Sequence, residues 1–320
     1  MPPPDAHGET ASLEGPEEER GQSRPGSVVA KRYEIETLLG QGGMGTVYRV
    51  FDRELQRQVA LKMMRPVRER EGRDKREARF FHEARAMARL DHPGCVQIHD
   101  FAVTEEGIAF IVMELVVGET LLEVIRRGIA PGRAALLLHQ VAGALQRVHD
   151  AGIVHRDVKP HNILVTASGA KLTDFGVAHD EAGFTRLTEA GSGAVGTPAY
   201  MPPEQTGGTG VVDARSDVYS LGATLYECLV NRPPFFLGHG GELLRAIRIT
   251  RPVPPRKLVP SVPRDLEAIA LRCLEKSPDE RYATAREVEE ELSRFLSGEP
   301  VRGRPPGFLE RLRRVFISSR

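Results

Sequence analysis

The chain has 320 residues, and its 44 Lys and Arg are balanced by 44 Asp and Glu, so its formal net charge is zero. This length allows a sizeable core and two or three structural units, and the balanced charge gives no reason to expect nucleic-acid binding. No apolar run reaches the roughly 18 residues of a membrane span, and the N-terminus lacks the pattern of a signal peptide. The three widely spaced cysteines predict buried thiols in a reducing compartment. We therefore expect a cytoplasmic protein without a transmembrane segment, or at most a membrane-associated one.

Residues 1–30 are rich in Pro, Gly, Ser and Glu and carry almost no large apolar side chains. Such a segment cannot bury enough apolar surface to offset its ordering entropy, so we expect a disordered tail. Alternating apolar residues from Tyr33 to Leu39 then predict the first strand.

The next stretch, Gly40–Val47, contains the pattern Gly-x-Gly-x-x-Gly. Glycines let backbone amides approach phosphate oxygens, because no Cβ intervenes. The same pattern also marks dinucleotide-binding folds, but there a helix must follow the glycines. Here Val47, Tyr48 and Val50 favour a second strand. The sequence therefore predicts a hairpin that folds over a nucleotide.

A short apolar strand, Val59–Met63, carries one lysine, Lys62. It is either a lysine whose charged head reaches solvent from a strand end or a cation held against phosphates, and the neighbouring hairpin favours the second interpretation. Residues 68–90 show helical spacing, and Glu83 lies on or near their apolar stripe. Because an unpaired carboxylate is costly to bury, we predict that Glu83 pairs with Lys62.

Strand patterns at 96–101 and 108–113 complete a small antiparallel sheet. After a connector at 114–118 the pattern changes to helices at 121–127 and 134–150. This change predicts two lobes, with a ligand-binding crevice at the connector.

The stretch His155–Asn162 is unusually rich in titratable and charged residues and lies between two apolar segments. Catalytic groups are often found on such loops, held by a rigid scaffold. Asp157 has a lysine and an asparagine close by, and a second aspartate, Asp174, follows before Gly176. This spacing suits a proton acceptor next to a divalent metal.

Taken in order, these patterns resemble the eukaryotic-type (Hanks-type) protein Ser/Thr kinases, and the short spacers look most like bacterial members. The resemblance implies an α+β, bilobal protein-kinase fold over residues 31–296. The N-lobe, 31–115, would be a small antiparallel sheet with one helix. The C-lobe, 116–296, would be larger and mainly helical. Residues 297–320 would form a basic, Pro-rich linker and a short amphipathic tail.

The resemblance also implies that the site binds ATP and Mg²⁺. Asp157 would accept the proton of the substrate hydroxyl, and Lys159 would neutralise charge on the transferred phosphoryl group. The implied catalytic residues are Lys62, Glu83, Asp157, Lys159 and Asn162. Those implied for Mg²⁺ are Asn162 and Asp174. Those implied for the nucleotide are Leu39, Gly40, Gln41, Gly42, Gly43, Met44, Gly45, Thr46, Val47, Ala60, Lys62, Met113, Glu114, Val116 and Leu164.

Other residues match supporting positions of the family. Asp217 would brace the catalytic loop, although a surface helix cap is its alternative interpretation. Glu204 would form a buried pair with Arg281, and Pro202 departs from the alanine usual at its position. A column of stacked side chains across the lobes would contain Met87, Ile98, His155 and Phe175.

Lys159 and the Gly196–Met201 loop resemble the Ser/Thr class of kinases, so proteins would be the substrates. Arg156 would face a phosphate on the activation segment, and autophosphorylation there would order that loop. The plausible acceptors are Thr185, Thr188 and Ser192. The alternative is that this segment is merely flexible.

Three further alternatives stay open from the sequence. The first is a pseudokinase scaffold, which binds partners without catalysis, although the presence of all the implied catalytic residues argues against it. The second is a small-molecule phosphotransferase, although the predicted peptide-docking loop argues against it. The C-terminal tail lies on a membrane, on a partner or on its own domain, and a homodimer is also left open.

Overall fold

The computed structural model describes residues 24–42, 45–64, 81, 84–175, 198–206, 210–236 and 241–303. The predicted disordered tail therefore falls largely outside the described residues, and the predicted amphipathic segment falls wholly outside them. Within those ranges no helix is long and apolar enough to cross a membrane.

The small lobe is built on an antiparallel sheet with the strand order β1-β2-β3-β4-β6-β5. Its strands are β1 (Val28–Val29), β2 (Tyr33–Gly42), β3 (Gly45–Asp52), β4 (Arg57–Met64), β5 (Ile98–Val103) and β6 (Ala109–Met113). The predicted helix of this lobe is described only at its C-terminal end, where residues 84–88 are helical. The expected sheet-rich small lobe is thus confirmed.

Strand β4 lies in the middle of this sheet and is buried on both faces. Because side chains alternate along a strand, Val59, Leu61 and Met63 enter the core of the small lobe. Ala60 and Lys62 lie on the opposite face, and both are buried. The alternation of β4 therefore directs the lysine toward the space between the lobes.

The large lobe is mainly helical, as the fold class predicts. Its helices are α1 (Leu121–Arg126), α2 (Pro131–Asp150), α3 (Ala214–Val230), α4 (Gly241–Ile249), α5 (Pro255–Leu258), α6 (Arg264–Cys273) and α7 (Ala285–Leu296). A second small antiparallel sheet contains β7 (Glu119–Thr120), β8 (Ile163–Thr166) and β9 (Gly169–Leu172). Helix α2 packs against α7, α3 and β9, so it forms the centre of this lobe.

The two lobes share backbone hydrogen bonds behind the cleft. The amide of Val96 donates to the carbonyl of Leu172 at 2.9 Å, and the amide of Leu172 donates to Gly94 at 2.7 Å. One apolar cluster also runs from residues 84–98 of the small lobe into helices α2, α3, α6 and α7. These contacts fix the position of the small lobe relative to β9.

Residues 297–303, which follow α7, pack on the large lobe. The buried Glu291 carboxylate accepts hydrogen bonds from the amides of Arg302 at 3.1 Å and Gly303 at 2.7 Å. A Cβ on Gly303 would lie only 1.9 Å from the hydroxyl of Tyr282, so glycine is required at this close approach. Val301 is also buried in the apolar cluster. The part of the predicted linker that is described is therefore part of the folded domain.

Candidate active site

In the predicted catalytic loop, His155–Asn162, the Asp157 carboxylate is held from two sides. The Nζ of Lys159 donates to both oxygens of Asp157, at 2.9 and 2.8 Å. The Nδ2 of Asn162 donates to the Asp157 carbonyl at 2.8 Å and to its Oδ2 at 2.9 Å. Because the amide nitrogen of Asn162 is occupied in this way, its oxygen is left to accept from, or to ligate, something else. The three residues that the sequence predicts as one unit do lie together.

A buried carboxylate in helix α3 fixes the shape of this loop. Asp217 is fully buried and accepts from the amide of His155 through Oδ2 and from that of Arg156 through Oδ1, both at 2.8 Å. Arg156 has a φ of 67°, a left-handed conformation that is unfavourable for a residue with a Cβ. The helix cap of α3 is Asp213. Asp217 is therefore the brace of the catalytic loop and not a surface cap.

His155 is enclosed between the loop and the segment at 173–175, which includes Asp174, one of the residues predicted to bind metal. Its Nε2 lies 3.0 Å from the carbonyl of Thr173, and its ring centroid lies 4.9 Å from that of Phe175. Complete burial lowers its pKa, so the ring is neutral near pH 7. Phe175 belongs to the same apolar cluster as Met87 and Ile98. The structural interpretation of His155, as part of a cross-lobe column, is confirmed.

Lys62 and Asp174 form an ion pair across the cleft. The Nζ of Lys62 lies 2.6 Å from Oδ1 of Asp174, and Lys62 is 9% exposed. Asp174 adopts a left-handed backbone with a φ of 58°. The amide of Thr173 donates to the carbonyl of Asn162 at 3.0 Å, which places the two residues predicted to bind metal side by side. Glu83, the predicted partner of Lys62, lies outside the described residues.

An apolar surface lines the cleft next to this charged group. The residues predicted for the nucleotide that gather in this one cluster are Val47, Ala60, Met113, Val116 and Leu164. Leu115, which the resemblance also places at the nucleotide, and Val96, which sequence reasoning missed, belong to it as well. Leu39 is 49% exposed at the edge of the hairpin. The cluster gives this part of the cleft an apolar lining, which suits an aromatic base.

The glycine-rich stretch forms the predicted hairpin, with Gly42 paired to Gly45 across β2 and β3. A Cβ on Gly45 would lie 2.1 Å from the carbonyl oxygen of Met63, so this glycine permits close packing of β3 on β4. A Cβ on Gly40 or Gly42 would meet no atom of the described residues within 4 Å, so these residues leave open space beside the two glycines. That space is available to a ligand. Gly43 and Met44 lie outside the described ranges.

The protein kinase domain model matches residues 33–292. This chain belongs to the protein kinase family. PknB, a serine/threonine-protein kinase of Mycobacterium tuberculosis, is 39% identical over 280 residues, which are 86% of this chain and 44% of that protein. A probable serine/threonine-protein kinase of Streptomyces coelicolor is 39% identical over 279 residues, which are 84% of this chain and 41% of that protein. The chain thus spans less than half the length of these curated relatives.

Solved structures show the same fold. The crystal structure of the Mycobacterium tuberculosis PknI kinase domain matches with a TM-score of 0.67 and 27% identity, and the match covers 85% of this chain and 98% of that one. The predicted bilobal kinase fold is confirmed. The names of these bacterial relatives support the Ser/Thr class, and none of them favours a pseudokinase.

A buried ion pair anchors the segment at 198–206, which the sequence predicts to dock substrate. The guanidinium of Arg281 donates to both oxygens of Glu204, each at 2.8 Å. Pro202 has a φ of −73° and a ψ of 154°, an ordinary extended conformation that continues into the turn at 203–205. The predicted pair is confirmed, and the proline leaves the local geometry intact. Thr197, Gly196 and the plausible phosphate acceptors lie outside the described residues.

An ion pair at the hinge, the connector at 114–118 between the lobes, was not predicted from the sequence. The Nζ of Lys171 on β9 lies 2.8 Å from both carboxylate oxygens of Glu114. The Glu114 amide donates to the carbonyl of Gln97 at 2.9 Å. Glu114 was predicted only as a residue that contacts the nucleotide. In the structure its side chain has a separate role, because it ties the hinge to β9 of the large lobe.

Proposed function

We propose that this chain is an active protein Ser/Thr kinase, which transfers the γ-phosphoryl group of ATP to Ser and Thr hydroxyls of proteins. The observation that carries this proposal is the arrangement around Asp157. Its carboxylate is held by Lys159 and Asn162, and the Lys62–Asp174 pair lies at the same cleft, beside its apolar lining.

Phosphoryl transfer asks a protein mainly for positioning and for positive charge near the reacting oxygens. The Asp157 carboxylate would accept the hydroxyl proton while the substrate oxygen bonds to the γ-phosphorus. The bond from that phosphorus to the bridging oxygen breaks, and ADP leaves. Lys159 already lies 2.8 Å from the Asp157 carboxylate, so its ammonium is placed to neutralise charge on the transferred group.

Asn162 and Asp174 supply oxygen donors that fit Mg²⁺. The Asn162 amide nitrogen is bound to Asp157, so its Oδ1 is the atom free for a metal. Among the described residues there is no cluster of three or more His, Cys, Asp and Glu able to hold a metal ion. Mg²⁺ needs only a few ligands from the protein, because it keeps several waters and also binds substrate phosphates. When bound, it would neutralise phosphate charge.

We also propose regulation through Arg156. Its Nε is buried and has no hydrogen-bond partner within the part of the chain that the structure describes. A buried, unpaired guanidinium nitrogen is costly, and a phosphate on the activation segment would satisfy it. Autophosphorylation at Thr185, Thr188 or Ser192 would supply that phosphate. Unchanged activity after all three are replaced by Ala would refute this regulation.

Incorporation of labelled phosphate from ATP tests the kinase activity. The wild type is compared with Asp157→Asn and Lys62→Met, using autophosphorylation and a degenerate Ser/Thr peptide mixture. We expect wild-type incorporation and near-complete loss in both variants. Equal incorporation in all three proteins would refute the assignment. No incorporation by any of them, with ATP still bound by the wild type, would favour the pseudokinase alternative.

A further inference from the structure

The last turn of α1 places a cation beside the catalytic loop. Helix α1 packs against the turn at 160–162. Arg126 is the last residue of this helix, and its charge also acts on Tyr200 and on Glu227 in α3. Arg126 therefore lies near both the catalytic loop and the segment that contains Tyr200.

Arg126 is exposed, and it makes no hydrogen bond or ion pair with the residues that the structure describes. The neighbouring Arg127 differs, because it is paired with Glu119. Lys159 is likewise committed to Asp157. Arg126 is thus a cation beside the reacting centre whose donors are available to a ligand.

The carboxylates near Arg126 are already occupied. The Glu123 carboxylate accepts from the amide of Thr120 at 2.7 Å, within the capping box that starts α1. Glu227 is 6% exposed, and its Oε2 accepts from the Tyr200 hydroxyl at 2.5 Å. Burial raises the pKa of Glu227. Neither carboxylate is paired with Arg126 in the described part of the chain, so the Arg126 donors stay available to an incoming carboxylate.

His161 is exposed at the same edge, in the turn that α1 contacts, and it adds no negative charge there. An incoming acidic side chain would find complementary charge here, whereas a basic one would be repelled.

We propose that Arg126 selects protein substrates with an aspartate or glutamate close to the phosphorylated Ser or Thr. A guanidinium can bind a carboxylate through two parallel N–H donors, which adds geometric selectivity to charge. Arg126 would then be a specificity-determining residue that touches the substrate and takes no part in the chemical step. The inference rests on the proposed kinase function.

The test is a positional peptide library around a central Thr, in which each flanking position carries Glu, Gln or Lys. An exposed Arg–carboxylate pair is worth up to about 1 kcal/mol, so we expect about a fivefold higher kcat/KM for Glu over Gln at the selected position. Arg126→Gln should abolish this preference, and Arg126→Glu should turn it toward Lys. High salt should shrink the wild-type preference.

Arg133→Glu is the matched control, because Arg133 is also exposed and the change in charge is the same. It should keep the wild-type preference. The KM for ATP should stay unchanged in all three variants, which separates selectivity from damage to the site. If the wild type phosphorylates the Glu, Gln and Lys peptides equally well, or Arg126→Glu keeps the preference for Glu, the inference is wrong. If the wild type phosphorylates no peptide at all, the proposed kinase function fails, and the inference fails with it.

Discussion

The buried pair of Arg281 and Glu204 should contribute strongly to the free energy of unfolding, because both side chains are almost fully buried. The Arg281 side chain has no solvent exposure, and the Glu204 side chain is 7% exposed. Burial by itself would raise the pKa of Glu204, but hydrogen bonds from Arg281 and Ser216 hold that pKa below its usual range. Arg281 also donates to the carbonyl of Glu275 at 2.9 Å.

Replacing Arg281 by Met removes one partner and leaves a carboxylate buried without its cation. Breaking a buried pair in this way costs about 3–5 kcal/mol of the free energy of unfolding. Glu204→Gln leaves the guanidinium charge uncompensated, and we expect a loss of about 3 kcal/mol. The double variant should lose at least about 1 kcal/mol less than the sum of the two single losses, since either change alone already breaks the pair.

Urea unfolding followed by far-UV circular dichroism measures these differences, because the chain contains no Trp that could serve as a fluorescence probe. A folded-state pKa below the ordinary value of 4.5 means that the pair stabilises the protein above about that pH. The difference in unfolding free energy between the wild type and Glu204→Gln should therefore become smaller as the pH falls below about 4.5. Additive losses in the double variant, or a loss below about 1 kcal/mol for Arg281→Met, would refute this reasoning.

Two further predictions concern the small lobe. The guanidinium of Arg32 lowers the pKa of Asp52 from 3.8 to about 2, so Asp52→Asn should cost about 2 kcal/mol of unfolding free energy at pH 7. This loss should persist down to about pH 4 and disappear as the pH falls toward 2; a pH-independent difference in urea unfolding would contradict it. Gly45→Ala should lower the melting temperature of the nucleotide-free protein, because its Cβ would lie 2.1 Å from the Met63 carbonyl oxygen. Gly40→Ala, with open space around it, should leave the melting temperature unchanged, and equal melting temperatures for the two variants would show that the clash is absent.

The hairpin, the lysine strand and the catalytic loop could be predicted from the sequence, because each is a short pattern whose chemistry and local structure agree. The position of Lys62 follows from the alternation of β4 alone. Its ion pair with Asp174 could not be predicted in the same way, since Asp174 lies 112 residues further along the chain. Helical periodicity pointed instead to Glu83, a nearer carboxylate on the apolar face of a predicted helix. The pair of Lys62 and Glu83 stays a prediction.

The hinge pair shows why other parts of the site could not be predicted. Glu114 and Lys171 are 57 residues apart, and neither lies in a pattern that requires the other. Their side chains come together because hydrogen bonds between residues 94–96 and Leu172 fix the position of the small lobe relative to β9. Arg126 is a similar case, since it looks like any basic residue at a helix end until the fold packs that helix against the turn at 160–162.

The central claim is that Asp157 accepts the substrate proton and contributes nothing essential to nucleotide binding. Single-turnover phosphoryl transfer, measured by rapid quench alongside the ATP dissociation constant, tests this claim most directly. Asp157→Asn should slow transfer by about 100-fold or more, while the ATP dissociation constant stays close to that of the wild type. Transfer at the wild-type rate, or a loss of ATP binding that accounts for the whole effect, would contradict it.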